Sequence, residues 1–122
     1  MQYLTQPVFY LEDSDFDDKG NLVSIPSNQP VFILLQSMQC YHCTKSKPAF
    51  QEFAIRHKGH VLCGTIQMDS PKMTPELMKK IQYIYPDLVG FPSYILYING
   101  KKIVYDGNRS LQDMEAFIRQ VL

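Results

Sequence analysis

Hydrophobic and polar positions change period several times along the chain, and each change marks an element. Residues 31–35 form a wholly apolar run after Pro30; extended to Gln36, they read as a strand buried on both faces. Beyond Cys43, Phe50, Phe53, Ala54 and His57 fall at i, i+3, i+4 and i+7, one face of a helix that ends near Gly59. Pro48 lies inside that helix and predicts a kink in its first two turns, because proline removes a helical hydrogen bond. Residues 61–68 read as a further strand. Thr74-Pro75-Glu76 offers an N-cap and a first-turn proline to a helix whose buried stripe is Leu77, Met78, Ile81 and Ile84. Residues 94–98 and 101–105 flank Asn99-Gly100, a strong hairpin signal because both turn residues tolerate positive φ. Ser110 and Asp113 resemble a capping box, and Leu111, Met114, Phe117, Ile118 and Val121 form the face of a last helix. Near the start, β-prone residues 8–11 precede an acidic stretch, 12–18, and the breaker Gly20. The resulting order, βαβαβαββα, predicts an α/β fold with a mixed sheet and helices on both faces.

Composition narrows the field. At 122 residues the chain is expected to form one domain spanning 1–122. Twelve basic and 12 acidic residues give a formal net charge of 0, which argues against a nucleic-acid or anionic-membrane footprint. The apolar runs are far shorter than the ~20 residues a membrane helix needs. The first basic residue is Lys19, so the start lacks the charged end of a secretory signal, and the expected location is cytoplasmic.

The chemistry centres on Cys40-Tyr41-His42-Cys43. A Cys-x-x-Cys pair between a strand and a helix sets its first thiol at the helix N-terminus, where unpaired N–H groups and the helix dipole favour a thiolate. The second lies one turn on, close enough to close a disulfide ring. Three cysteines are an odd number and do not describe a disulfide framework. Cys63, flanked by apolar residues and sharing strand parity with Thr65, is expected to be buried and inert.

Two metal patterns are set aside on spacing and geometry. Cys40 and Cys43 followed by His57 and His60 look like a zinc motif, but the His-x2-His spacing is short, and a continuous helix would hold Cys43 and His57 about 20 Å apart. Asp13, Asp15 and Asp17 alternate like calcium-loop ligands, yet Asp18 stands at the loop's glycine position and Ser24 at its bidentate one, so they are read as a solvated acidic face at a helix start. No metal and no cofactor are expected. Asn108-Arg109-Ser110 fits a glycosylation pattern and is read as a helix cap.

Over nearly its whole length the chain resembles the thioredoxin family. The resemblance rests on Cys40-Tyr41-His42-Cys43 after the second strand, Pro48 five residues past Cys43, Gly90-Phe91-Pro92-Ser93 entering the fourth strand, Asn99-Gly100 in the hairpin, and Gly107 before the last helix. It implies a thioredoxin fold, a mixed sheet of about five strands flanked by about four helices. It also implies thiol-disulfide exchange on protein disulfides or dithiols, with Cys40 as nucleophile, Cys43 resolving, and a reductase or glutathione as electron donor. The proline matching Pro92 follows a cis bond in this family, and Phe91, with Gly90 and Gln39, would shape a groove for an added substrate strand. His42 stands where disulfide isomerases and periplasmic oxidants carry histidine, which implies that it tunes the Cys40 thiolate; Tyr41 could shield that thiolate, contact substrate or simply be exposed. Three positions depart from the pattern: Leu34 replaces a buried carboxylate, Thr65 the lysine opposite it, and Gln39 a tryptophan. Deprotonation of Cys43 would then fall to water or His42. The departures leave open a binding module that uses the Tyr41, Phe91 and Tyr94 region, or a glutathione-linked oxidoreductase.

Overall fold

A computed structural model of the chain describes residues 3–122. Five strands, β1 (Phe9–Tyr10), β2 (Val31–Gln36), β3 (Leu62–Gln67), β4 (Ser93–Ile98) and β5 (Lys101–Tyr105), lie in the order β1-β3-β2-β4-β5. β3 runs parallel to β1 and β2, while β4 is antiparallel to β2 and β5, so the sheet is mixed. β2 sits at its centre with all six residues buried, as its unbroken apolar run requires.

Strand alternation splits the core in two. Phe32 and Leu34 face helix α1 (Tyr41–Arg56) through Phe50 and Phe53, and helix α3 (Leu111–Val121) through Met114 and Ile118. Val31, Ile33 and Leu35 face helix α2 (Pro75–Ile84) through Leu77, Ile81 and Ile84. Met78 departs from the expected stripe: it is 47% exposed, one position off the face that Leu77 and Ile81 bury. α2 starts where Thr74 Oγ1 accepts the Leu77 N–H at 3.1 Å, and α3 where Ser110 Oγ accepts the Asp113 N–H at 3.2 Å, each cap satisfying an otherwise orphan donor. Asn99 and Gly100 turn the hairpin with φ of 51° and 76°, the left-handed pair a two-residue turn demands. α1 continues as one α-helix through Pro48.

Among the described residues three α-helices are present, not about four. The acidic stretch 12–18 holds only a 3-10 turn, Asp13–Asp15. It has no apolar stripe, and its carboxylates close local loops instead of leaving the backbone to a helix. Asp15 Oδ2 accepts the Glu12 N–H at 2.7 Å, and Asp17 Oδ1 accepts the N–H groups of Lys19 and Asn21 at 2.9 Å each. Phe16, buried against Tyr97, ends the turn in extended conformation. Among the described residues no helix is long and apolar enough to cross a membrane.

Candidate active site

β2 delivers the chain to the end of the sheet, and residues 37–39 turn it into α1. Cys40 is the N-cap of that helix, with extended φ of −89° and ψ of 118°, and its Sγ accepts the Cys43 N–H at 3.2 Å. A sulfur there receives a backbone donor and the positive end of the helix dipole, both of which favour its anionic form. Cys40 is half-buried and Cys43 fully buried; both are free thiols. Burial, and then the hydrogen bond with Cys40, push the Cys43 thiol up to about 11.

The turn into β4 closes the site from the opposite side. The Phe91–Pro92 bond is cis, and the Phe91 carbonyl oxygen lies 3.6 Å from Cys40 Sγ. Ser93 Oγ donates to the Gly90 carbonyl at 2.6 Å, tying the approach to the strand. Thus Cys40, Cys43, Phe91 and Pro92 come together. Gln39, Tyr41, His42 and Gly90 lie exposed. The Tyr41 ring, 65% exposed, meets the His42 ring at 5.5 Å and carries the Lys45 ammonium 5.1 Å from its centroid. Among the described residues the His42 ring makes no hydrogen bond to either cysteine, although its carbonyl accepts the Ser46 hydroxyl at 2.7 Å.

Leu34 and Thr65 pair directly across β2 and β3, and the Thr65 hydroxyl donates to the Leu34 carbonyl at 2.7 Å. Where the family pattern has a carboxylate and a lysine, this chain therefore has an apolar side chain and a locally satisfied hydroxyl. Tyr94, which the sequence reading set on an exposed binding surface, is buried: its ring stacks on Phe32 at 5.7 Å in the core below the site.

Other polar groups occupy the ground beneath the cysteines. The buried polar or charged side chains among the described residues are Gln36, Ser46, Lys47 and Thr65. Lys47 is fully buried, with Nζ 3.2 Å from Met38 Sδ. Burial lowers its pKa, while the charges of Cys43, Asp69 and Cys40 work to hold it up. Burial works against the Asp69 carboxylate as well, but the Met38 N–H, at 3.0 and 3.1 Å from its two oxygens, helps to hold it below the usual carboxylate range. Ser46, Lys47 and Asp69 are not singled out by the sequence, although one signal for Lys47 is present in it. Lys47 lies at i+4 from Cys43 and i−3 from Phe50, on the stripe that faces the sheet.

Cys63 is buried on the α1 side of the sheet, and desolvation pushes its thiol up to about 12. His57 Nε2 lies 2.7 Å from Glu115 Oε2, its ring 4.5 Å from Phe53, so it joins α1 to α3. His60 is exposed. Among the described residues no three His, Cys, Asp or Glu side chains group closely enough to hold a metal ion.

The difference in thiol environment is directly measurable. Brief iodoacetamide treatment of the reduced protein at about pH 8 is expected to label Cys40 well before Cys43 or Cys63, because both of the latter are held in the unreactive thiol form. Peptide mass spectrometry reads the order; equal early labelling of Cys43 would contradict the assignment.

No protein-family model matches the chain. It is 38% identical over 120 residues to a thioredoxin-like protein of Invertebrate iridescent virus 6, covering 87% of this chain and 86% of that one. It is 27% identical over 121 residues to protein disulfide-isomerase of Saccharomyces cerevisiae, and 27% identical over 92 residues to a thioredoxin domain-containing protein 5 homolog of Drosophila melanogaster. The matches cover 93% and 75% of this chain, but it spans only 20% and 21% of those proteins. Among solved structures it matches the J-Trx1 fragment of ERdj5 with a TM-score of 0.71 at 23% identity, covering 93% of this chain and 50% of that one. Human ERp44 in its zinc-bound form matches with a TM-score of 0.67 at 17% identity, over 93% of this chain and 30% of that one.

Proposed function

The chain belongs to the thioredoxin family, and from that premise we propose that it is a thiol-disulfide oxidoreductase cycling Cys40 and Cys43 between dithiol and disulfide. The observation that carries the reading is the placement of Cys40: its sulfur sits at the helix N-cap within 3.6 Å of the Phe91 carbonyl. One small surface thus combines a nucleophile and a backbone acceptor that an extended peptide can pair with.

In the reductive direction the Cys40 thiolate attacks a substrate disulfide. A bond forms between Cys40 Sγ and one substrate sulfur, the substrate's own S–S bond breaks, and the departing thiolate takes a proton from water. Cys43 then loses its proton and attacks Cys40 Sγ, which forms the Cys40–Cys43 disulfide and releases the second substrate sulfur as a thiol. The substrate gains two electrons and the protein loses them; a dithiol reductase or glutathione restores the protein. Run backwards, the same steps oxidise a dithiol. Extended polypeptides carrying disulfides are the substrates that suit Gly90, Phe91, Pro92 and Gln39 as a groove, with Tyr41 and His42 on its rim.

Trapping tests this function. Cys43→Ser leaves attack intact but blocks resolution, so mixed disulfides with added disulfide-bearing polypeptides should accumulate on non-reducing gels and vanish with a reductant. The double variant Cys40→Ser/Cys43→Ser should capture none. Equal, reductant-resistant association by both variants would favour a binding module that does not use its cysteines.

A further inference from the structure

The resolving step needs Cys43 as a thiolate, yet the position where the family pattern has a carboxylate is Leu34. We propose that Lys47 takes over this task as a positioning residue, its buried ammonium stabilising the Cys43 thiolate as it forms during resolution. The proposal rests on reading Cys40 and Cys43 as the redox couple.

Placement carries the argument. Lys47 is one helical turn beyond Cys43, so both side chains leave the same face of α1 and enter the space between that helix and the sheet. Both are fully buried there. Lysine ordinarily extends its ammonium to water along a flexible stem. Here Nζ instead stops 3.2 Å from Met38 Sδ, in the turn that joins β2 to Cys40. That turn is itself fixed, because both Asp69 oxygens accept the Met38 N–H. A cation held beneath a sulfur lowers the free energy of the thiolate relative to the thiol, and low polarity around it strengthens the effect. Consistently, the Lys47 charge works against the burial that raises the Cys43 thiol, and Cys43 works against the burial that lowers Lys47.

Among the described residues, the other ionisable groups facing this space are three. Cys40 lies across the first turn of α1, the Asp69 carboxylate follows β3, and the Tyr94 phenol rises from β4 with burial holding its pKa up to about 12. Asp69 balances part of the Lys47 charge without donating to the cysteines. Gln36, at the end of β2, is buried and neutral; among the described residues its side-chain amide has no hydrogen-bonding partner. Among the described residues, Lys47 is thus the cation set to act on Cys43. It keeps its own proton throughout, and the Cys43 proton passes to water.

The experiment measures resolution alone. Wild type and Lys47→Met are converted to a mixed disulfide between Cys40 and a small aromatic thiol, and release of that thiol is followed by stopped flow from roughly pH 6 to 9. Methionine fills much of the same buried volume without charge. Release should slow on the order of tenfold, and its rising limb should move up by about one pH unit. A rate and profile equal to wild type in a folded Lys47→Met protein would overturn the inference. If Lys47→Met fails to fold, 13Cε NMR of Lys47 gives the answer. Linkage requires its titration to lie at lower pH in Cys43→Ser than in the reduced wild type, and coincident titrations would overturn the proposal. Loss of trapping by Cys43→Ser would instead sink the redox reading itself, so the two failures remain distinct.

Discussion

Cys40→Ser is expected to abolish disulfide exchange, with the second-order rate toward a protein disulfide falling on the order of 10³-fold or more, to the uncatalysed background. A serine hydroxyl at the N-cap still accepts the Cys43 N–H, as cap residues of that type do. The fold and the helix should therefore survive, and thermal unfolding should stay close to wild type. What disappears is a sulfur able to carry a covalent bond to substrate beside Phe91. Cys43 cannot substitute for it, being fully buried and held as a thiol. The decisive comparison is the rate of substrate reduction with an excess of dithiol donor. Retention of more than a tenth of wild-type activity would mean that the chemistry does not begin at Cys40.

The second large effect concerns the fold. Phe32→Ala should destabilise the protein by about 3–5 kcal/mol, against a total stability on the order of 5–15 kcal/mol for a domain of this class. Phe32 is fully buried in the central strand, and its ring lies 5.5–6.0 Å from those of Phe50, Phe53, Tyr94, Tyr105 and Phe117. These neighbours come from α1, β4, β5 and α3, so the cavity would open where four elements meet and where collapse would have to move all of them. Urea unfolding should show a lower midpoint with an unchanged slope. A loss below about 1 kcal/mol would mean that the surrounding rings close the gap, contrary to the packing described.

Much of this architecture is legible in the sequence. The run 31–35 has nowhere to go but the centre of a sheet, and Asn99-Gly100 is one of the few dipeptides that turns two strands without strain. Cys40-Tyr41-His42-Cys43 and Phe91-Pro92 were legible as well, because each is a local pattern. The acidic stretch misled because composition alone does not distinguish a helix from a three-residue turn stabilised by its own carboxylates. Met78 misled because a hydrophobic residue one position off the stripe still looks periodic. Lys47 was missed for a deeper reason. Sequence patterns rank charged residues as surface residues, whereas this one is buried by the junction of β2 with α1 that forms only in three dimensions.

One consequence follows from how the sheet ends. On one side β1 is two residues long, and on the other β5 begins with Lys101 and Lys102. Neither border offers a long, uncharged row of backbone donors and acceptors on which a foreign strand could grow. For a protein proposed to meet extended, partly unfolded chains, that closure matters as much as the reactive sulfur. It would leave the short backbone segment at Phe91 as the place for such chains to pair and keep them from the margins, where they would nucleate co-aggregates. Lengthening β1 or neutralising the two lysines would therefore be expected to erode solubility in the presence of unfolded clients while leaving the thiol chemistry intact.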